Sequence, residues 1–456
     1  MKRRVVMTGL GPVSGLGVGI APTWEAVTAG RGAVAAIDAF DPSGFGSRIG
    51  SQVRNFAVRD YVPKSYRKAT KVMATDIEMA VAAADLAARD AGLRTAGTDA
   101  DAAARPDFSP TYPQSRVGCH IGAGLIAAEI NELTGALNES RNEQGNFDIH
   151  KWGSVGITHL TPLWLLKYLP NMLACHVTIL HDCQGPSNTI TCAEASALLS
   201  IGESLRVIER GAADLCFCGG VEDKINPMAM LRQQFTGRLN ELDNDRPAAA
   251  VRPFDKNAAG TVIGQGGAIV MLEALETFEK RLASSAAQAS ATPRAYAEIA
   301  GFGASQSVHQ PRRNQAPDPA GKGIALAIRA ALRDAGITPQ QVDLIVPFGV
   351  GVPEYDRAEA AALVGIFGPR AKSVPIVSTK AYVGNLFAGA GGIDICVAAK
   401  AVAEQVIPAT SNCDDPIDDL GAGSAPSRPG TINYALTYSA GFGGQNAAMV
   451  LKRLGA

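Results

Sequence analysis

The run Gly185-Pro186-Ser187-Asn188-Thr189-Ile190-Thr191-Cys192-Ala193-Glu194-Ala195-Ser196 is β-rich and breaks on small residues into a helical pattern. A strand-to-helix turn of this kind presents one side chain at the helix start. It also leaves backbone N–H groups free to hold an oxyanion, the arrangement that acyl-transfer enzymes use around a nucleophile. Here the side chain presented is the carboxylate of Glu194. A carboxylate there can accept the free N–H groups of its helix, and a helix N-terminus stabilises its ionised form by about 0.3–1 kcal/mol. Burial pushes its pKa the other way. Cys192, two residues upstream, is the nearest thiol, and alternation along a strand turns it to the same face but deeper.

Other clusters of reactive types carry less. Eight cysteines lie dispersed at 119, 175, 183, 192, 216, 218, 396 and 413 without C-x-x-C spacing. Cys216 and Cys218 share a strand face, and no nearby histidines complete a zinc pattern, so they read as reduced core thiols in a cytoplasmic protein. Gly9-Leu10-Gly11 follows a strand but lacks the third glycine and the placed acid of a dinucleotide site. Gly441-Phe442-Gly443-Gly444 lacks the Lys-Ser/Thr of a phosphate loop. No metal or cofactor is expected.

These residues must be positioned by a large framework. With 456 residues the chain exceeds one ordinary core. A hydrophobic share of 46%, a charged share of 19% and a net charge of -1 give neither a nucleic-acid footprint nor a polybasic membrane patch. No uncharged run reaches the roughly 18–20 apolar residues of a membrane span. The basic start Lys2-Arg3-Arg4 imitates a signal peptide, but the glycines and prolines that follow suit a first strand, Val5 to Thr8, entering a glycine turn.

Strand and helix patterns alternate, which predicts an α/β architecture. One helix carries Met79, Ala83 and Leu86 and ends near Gly92; another runs from about Ala195 through Leu198, Ile201, Leu205 and Ile208 to Gly211, followed by a buried strand, Ala213 to Gly219. The stretch 276–292 is the candidate boundary between an N-terminal half, 1–275, and a C-terminal half, 293–456. Beyond it the order of elements restarts. Tyr296 to Gly303 ends in Gly-Phe-Gly as Val5 to Gly11 ends in Gly-Leu-Gly, and the glycine-rich exit Gly122-Ala123-Gly124 has a counterpart in Gly349-Val350-Gly351.

Five segments in order, Val5–Gly11, Asn171–Ala174, Gly185–Ser187, Arg252–Lys256 and Gly441–Asn446, make the chain resemble the elongating β-ketoacyl-acyl-carrier-protein synthases of the thiolase superfamily over nearly its whole length. The resemblance implies a thiolase fold, with duplicated βαβαβ halves in an αβαβα layered arrangement. It also implies a Cys-His-His set, in which a thiolate takes the acyl chain and two histidines assist malonyl decarboxylation and hold the thioester oxygen. Carried over by position, the set falls on Glu194, Phe348 and Asn385. Phenylalanine can neither accept a proton nor donate a hydrogen bond, and asparagine can donate one to a carbonyl oxygen but cannot titrate near neutral pH. Lys380 and Glu359 match supporting positions and are expected to pair, while the N–H groups of Glu194 and Phe442 are the oxyanion candidates.

Such losses resemble the chain-length factors, the β subunits of type II polyketide synthases, which usually carry glutamine at the cysteine position. Glutamate departs from that. The implied partners are a cysteine-bearing ketosynthase α subunit, an acyl carrier protein and a growing acyl or polyketide chain. The strand near Thr189 to Cys192 is expected at the dimer contact; Gly122 to Thr134 and the inserted Asn138 to Leu160 are read as tunnel lining, interface or solvated loop. Two other readings stay open: a malonyl-carrier-protein decarboxylase supplying an acetyl starter, and a homodimeric scaffold for carrier proteins or acyl chains.

Overall fold

A computed structural model describes all residues except 1, 100–104, 106, 287–293, 308–316 and 418–419. Among the described residues nine strands form the main path of one twelve-stranded mixed sheet: β1 Val5–Ser14, β2 Val117–Gly122, β3 Ser187–Ile190, β4 Leu215–Asp223, β5 Ile263–Ala274, β6 Ala297–Gln306, β7 Leu344–Val346, β8 Tyr434–Ala440 and β9 Gln445–Lys452. Their order is β7-β8-β9-β6-β1-β5-β4-β2-β3, with short strands added beside β1 and β5. The order reads outward from the centre in the same way on both sides. β1 and β6 meet through Val6–Glu298 and Met7–Ala297; each has an antiparallel neighbour, β5 or β9, followed by β4 or β8 and then a parallel strand, β2 or β7. This is the duplication expected of a thiolase fold.

Helices complete the layers. The helix Thr75–Asp90 packs with Ile121, Phe217 and Met271 on the outer face of the first half, and Lys322–Ala335 packs with Leu436, Ala448 and Val450 on the outer face of the second. Between them, Ser196–Glu209 and Ala390–Glu404 share one core with Val270, Leu272, Met449 and Leu451, drawn from both half-sheets. Helix, half-sheet, helix pair, half-sheet and helix follow in turn.

The structure corrects the reading of the glycine pairs. β1 runs straight through Gly9 and Gly11 with a bulge after Met7, because these positions let a helix lie on the strand rather than turn it. A Cβ on Gly11 would sit 2.0 Å from the Ala83 carbonyl oxygen, and one on Gly303 would sit 2.3 Å from that of Ala327. The same device therefore recurs in both halves. The stretch 276–292 is also more ordered than its composition suggests, since Leu275–Ala286 is helical; 287–292 lies outside the described residues. The helix Ile130–Glu139 leads into the inserted stretch, which itself holds the helix Ile149–Ser154 and the 3-10 turn Gly156–His159. Among the described residues no helix is long and apolar enough to cross a membrane.

Candidate functional site

β3 ends at Ile190, and the chain reverses through a short 3-10 turn, Ala193–Ala195, into the central helix Ser196–Glu209. Ala193 holds φ +48°, a left-handed conformation costly for a residue with a Cβ. Ser196 locks the turn: its Oγ accepts the Cys192 N–H at 2.8 Å and donates to the Ala193 carbonyl at 2.6 Å. The turn buries Glu194, which is 1% exposed, and leaves Cys192 partly exposed. That reverses the depth expected of the two, because Cys192 lies past the end of the strand and alternation no longer applies. Burial raises the Cys192 thiol pKa, which keeps it from being a ready thiolate.

Glu194 does not cap its own helix alone. Its carboxylate spans the two halves, accepting the Phe442 N–H at 3.2 Å on one oxygen and the Asn385 side-chain amide at 3.3 Å on the other. Burial raises its pKa, opposed by hydrogen bonds from its own N–H, from Phe442 and from Asn385; burial outweighs them.

Each partner is held by backbone. Asn385 follows Gly384, whose φ of +65° brings it against Val262; its N–H donates to the Val262 carbonyl at 2.9 Å, and its carbonyl accepts from Gly264 at 3.0 Å. Its side-chain oxygen accepts the Phe387 N–H at 2.8 Å, which fixes the amide with its NH2 toward Glu194. Phe442 sits on the tight turn between β8 and β9, closed by Gly441 N–H to Gln445 O at 2.7 Å and Gly444 N–H to Gly441 O at 2.8 Å. Its ring meets Tyr355 edge-on at 4.6 Å and Phe348 at 5.8 Å, with the Arg238 guanidinium 4.1 Å from its centre.

Phe348 is fully buried, and the Lys380 ammonium lies 5.7 Å from its ring centre. Lys380 does not pair with Glu359. It bonds Asp394 and donates to the Pro347 carbonyl at 3.2 Å, since Asp394 on the helix Ala390–Glu404 faces it. Glu359 serves the glycine-rich exit instead, each oxygen accepting the Gly349 N–H at 3.0 Å, while Asp356 accepts Val350 and Gly351 at 3.2 Å and Phe254 at 2.7 Å. Burial raises Glu359, Asp356 and Asp394. The structure thus gathers Glu194, Asn385, Phe442 and Phe348 at one point, with Lys380 behind Phe348 and Glu359 one layer further back. Sequence reasoning missed Asp394, Arg238 and Tyr355. Asp394 could have been found as the acid on the helix that follows Lys380; nothing in the text around Arg238 marks it.

Two cavities flank this point. One of about 170 Å³ lies outside Phe442, against Ser307, Asp318, Tyr355, Gly443 and Asn446. The other, of about 440 Å³, lies against Gly124, Leu125, Thr191, Ala193, Glu222 and Lys224. Phe442 lines the first, and Ala193, next to Glu194 in sequence, lines the second. Chemically, Glu194 occupies the Phe442 N–H and the Asn385 amide with its own carboxylate, and neither the Phe348 ring nor the Asn385 side chain titrates near neutral pH.

Comparison with known proteins agrees with this framework. The family described as Beta-ketoacyl synthase, N-terminal domain, matches residues 2–278, and that described as Beta-ketoacyl synthase, C-terminal domain, matches 296–414. The chain belongs to the β-ketoacyl synthase family. It is 31% identical to the 3-oxoacyl-[acyl-carrier-protein] synthase 2 of Vibrio cholerae, covering 99% of this chain and 100% of that one. It is 33% identical to the protein of the same name from Coxiella burnetii, covering 99% of each. The structure described as the ishigamide ketosynthase/chain length factor superposes with a TM-score of 0.80 at 26% identity over 100% of both chains.

Proposed function

We propose that this chain is a non-condensing, chain-length-factor-like subunit that pairs with a cysteine-bearing ketosynthase and shapes the tunnel in which the partner's acyl or polyketide chain grows. One observation carries the reading: the Glu194 carboxylate accepts the Phe442 N–H and the Asn385 amide, so the donors that would stabilise a thioester oxygen are already satisfied from within. With Phe348 and Asn385 at the positions the family resemblance gives to histidines, no group there moves the protons that malonyl decarboxylation and condensation require. The same occupancy weighs against a malonyl-carrier-protein decarboxylase, because an enolate would have to displace a carboxylate from its own donors.

A partner surface supports the pairing. β3 is the edge of the sheet and half-exposed. Near it in sequence, Leu125, Phe147, Ile149, Leu163, Leu165 and Ile179 expose large apolar side chains. A second copy of this chain, as in the homodimeric scaffold reading, would cover them as well as a homologue would. Native mass spectrometry of the tagged chain from its own host separates these. A one-to-one complex with a similar-sized homologue bearing Cys-His-His is expected; a homodimer without such a partner overturns the proposal.

A further inference from the structure

The helices Lys322–Ala335 and Pro353–Phe367 pack against each other in the second half and leave a groove of about 270 Å³ between them. Its floor is small and apolar, with Ala325, Ala361, Ala362 and Gly365. A glycine weakens a helix against alanine, yet a Cβ on Gly365 would meet nothing within 4 Å, so no contact inside the chain calls for one. The rim is cationic. Lys322, Leu326, Arg329 and Arg333 follow at spacings of four, three and four, which puts them on one helix face, and Arg357 stands one turn before Ala361 on the facing helix. These cations are exposed, and among the described residues none has an ion-pair partner. Arg329 donates to the Gly365 carbonyl at 3.3 Å, one of the free carbonyls of its helix end, which draws the guanidinium toward the floor. Leu326, 56% exposed, and Val364, 40% exposed, stand among the cations. Neighbouring acids are engaged elsewhere: Asp334 with Lys2 and Arg206, Asp318 with the Ala320 and Lys322 N–H groups, and Asp356 and Glu359 with buried N–H groups. The exposed Glu354 lies in the first turn of its helix, about three turns from Gly365.

A row of like charges without counter-ions beside an apolar floor is complementary to a helix with one apolar stripe and acids along its flanks. Nucleic-acid phosphates would use the rim but bury nothing on Ala325, Ala361 and Ala362. A bilayer would meet two large apolar side chains, Leu326 and Val364, where an interfacial helix offers a continuous face. We infer that this groove is the docking surface for an acidic amphipathic helix of a partner protein, whose apolar stripe covers Leu326, Val364 and the floor while its carboxylates pair with Lys322, Arg329, Arg333 and Arg357. The helix Lys322–Ala335 packs over the half of the sheet that holds β8 and β9, whereas β3 is the edge of the other half. The groove is therefore separate from the surface proposed for the ketosynthase partner, and the two can be engaged together.

The test uses the whole chain in the assembly in which it purifies, with two fluorescein-labelled helical peptides of about 18 residues, long enough to hold a helix and to span the row. Each carries leucine and alanine on one stripe; one has glutamate along its flanks and the other lysine. Fluorescence anisotropy is expected to show the glutamate peptide binding about 10-fold tighter or more, a preference that shrinks as salt rises. Lys322→Glu combined with Arg329→Glu should invert the preference. Gly365→Leu, which raises helix propensity and fills the opening, should weaken the glutamate peptide about 10-fold without lowering the unfolding midpoint. Equal binding of the two peptides, binding of neither, or a preference that survives the charge reversal overturns the inference. Parent-like binding by Gly365→Leu overturns it as well. Tighter binding of duplex DNA or of phosphatidylglycerol vesicles than of the glutamate peptide, lost on charge reversal, overturns it in favour of that partner.

Discussion

Glu194→Gln is the most revealing single substitution, because glutamine matches the size of glutamate but not its pattern of acceptors. Two donors converge on Glu194, the Phe442 N–H at 3.2 Å and the Asn385 NH2 at 3.3 Å. Asn385 cannot turn its oxygen round, since that oxygen already accepts the Phe387 N–H at 2.8 Å. A carboxylate, or a carboxylic acid whose hydroxyl oxygen keeps its lone pairs, can accept both; a glutamine amide offers one oxygen and one NH2, so one donor must face another donor. In a fully buried site this costs about 1–3 kcal/mol. The cost should depend on pH. Burial raises the folded-state pKa of Glu194 above its unfolded value, so its contribution is fully present below the ordinary glutamate pKa of about 4.3 and is lost as pH rises toward the folded value, by at most about 1.4 kcal/mol per pH unit. Glutamine does not titrate. The variant should therefore be less stable than the parent by more at pH 5 than at pH 8, read from urea unfolding at fixed protein concentration, because assembly also adds stability. A deficit that grows with pH would refute the reasoning, since it would mean that the hydrogen bonds and not burial dominate Glu194. No deficit at pH 5 would show that the Asn385 amide is not pinned.

Lys380→Met should destabilise by about 3–5 kcal/mol, because it leaves the Asp394 carboxylate buried without its cation, and urea unfolding measures it; Glu359→Gln should cost less, since Glu359 serves backbone N–H groups rather than Lys380. Glu194→Cys alone should give no condensation with acyl- and malonyl-carrier protein, because Phe348 and Asn385 still carry no proton; measurable product from that variant would show that the site needs neither histidine. Gly11→Ala should destabilise by more than about 3 kcal/mol or prevent soluble expression, since its Cβ would lie 2.0 Å from a helix carbonyl that is itself backbone; a near-normal unfolding midpoint would contradict the close approach of helix and strand.

Much of this was readable from the residues, and the failures have specific causes. The break from β pattern to helix at 187–196 located the elbow, because small residues and the Leu198-Ile201-Leu205-Ile208 spacing fix the helix of the central layer. The repeat of Gly-x-Gly on Val5–Gly11 and Tyr296–Gly303 was visible, but its meaning was not, since a glycine at a turn and one beneath a helix look alike in sequence. Cys192 and Glu194 were ordered wrongly by depth because strand alternation was carried two residues past the strand's end. The Lys380–Glu359 pairing failed because two buried opposite charges at matching positions do not say which other group takes each of them, here Asp394 for Lys380 and the Gly349 N–H for Glu359. Arg238 and Lys224 act across chain separations of roughly 200 and 100 residues, on Phe442 and Leu125, where no local pattern could announce them.

In the proposed role this chain never carries the acyl group covalently. Intact-protein mass spectrometry answers it directly: the chain, together with any homologue that co-purifies with it, is incubated with acyl-loaded carrier protein and the mass of each subunit is read. The account predicts an acyl increment on the cysteine-bearing partner and an unchanged mass for this chain. An acyl increment on this chain, mapped to Cys192 or any other residue, would contradict it.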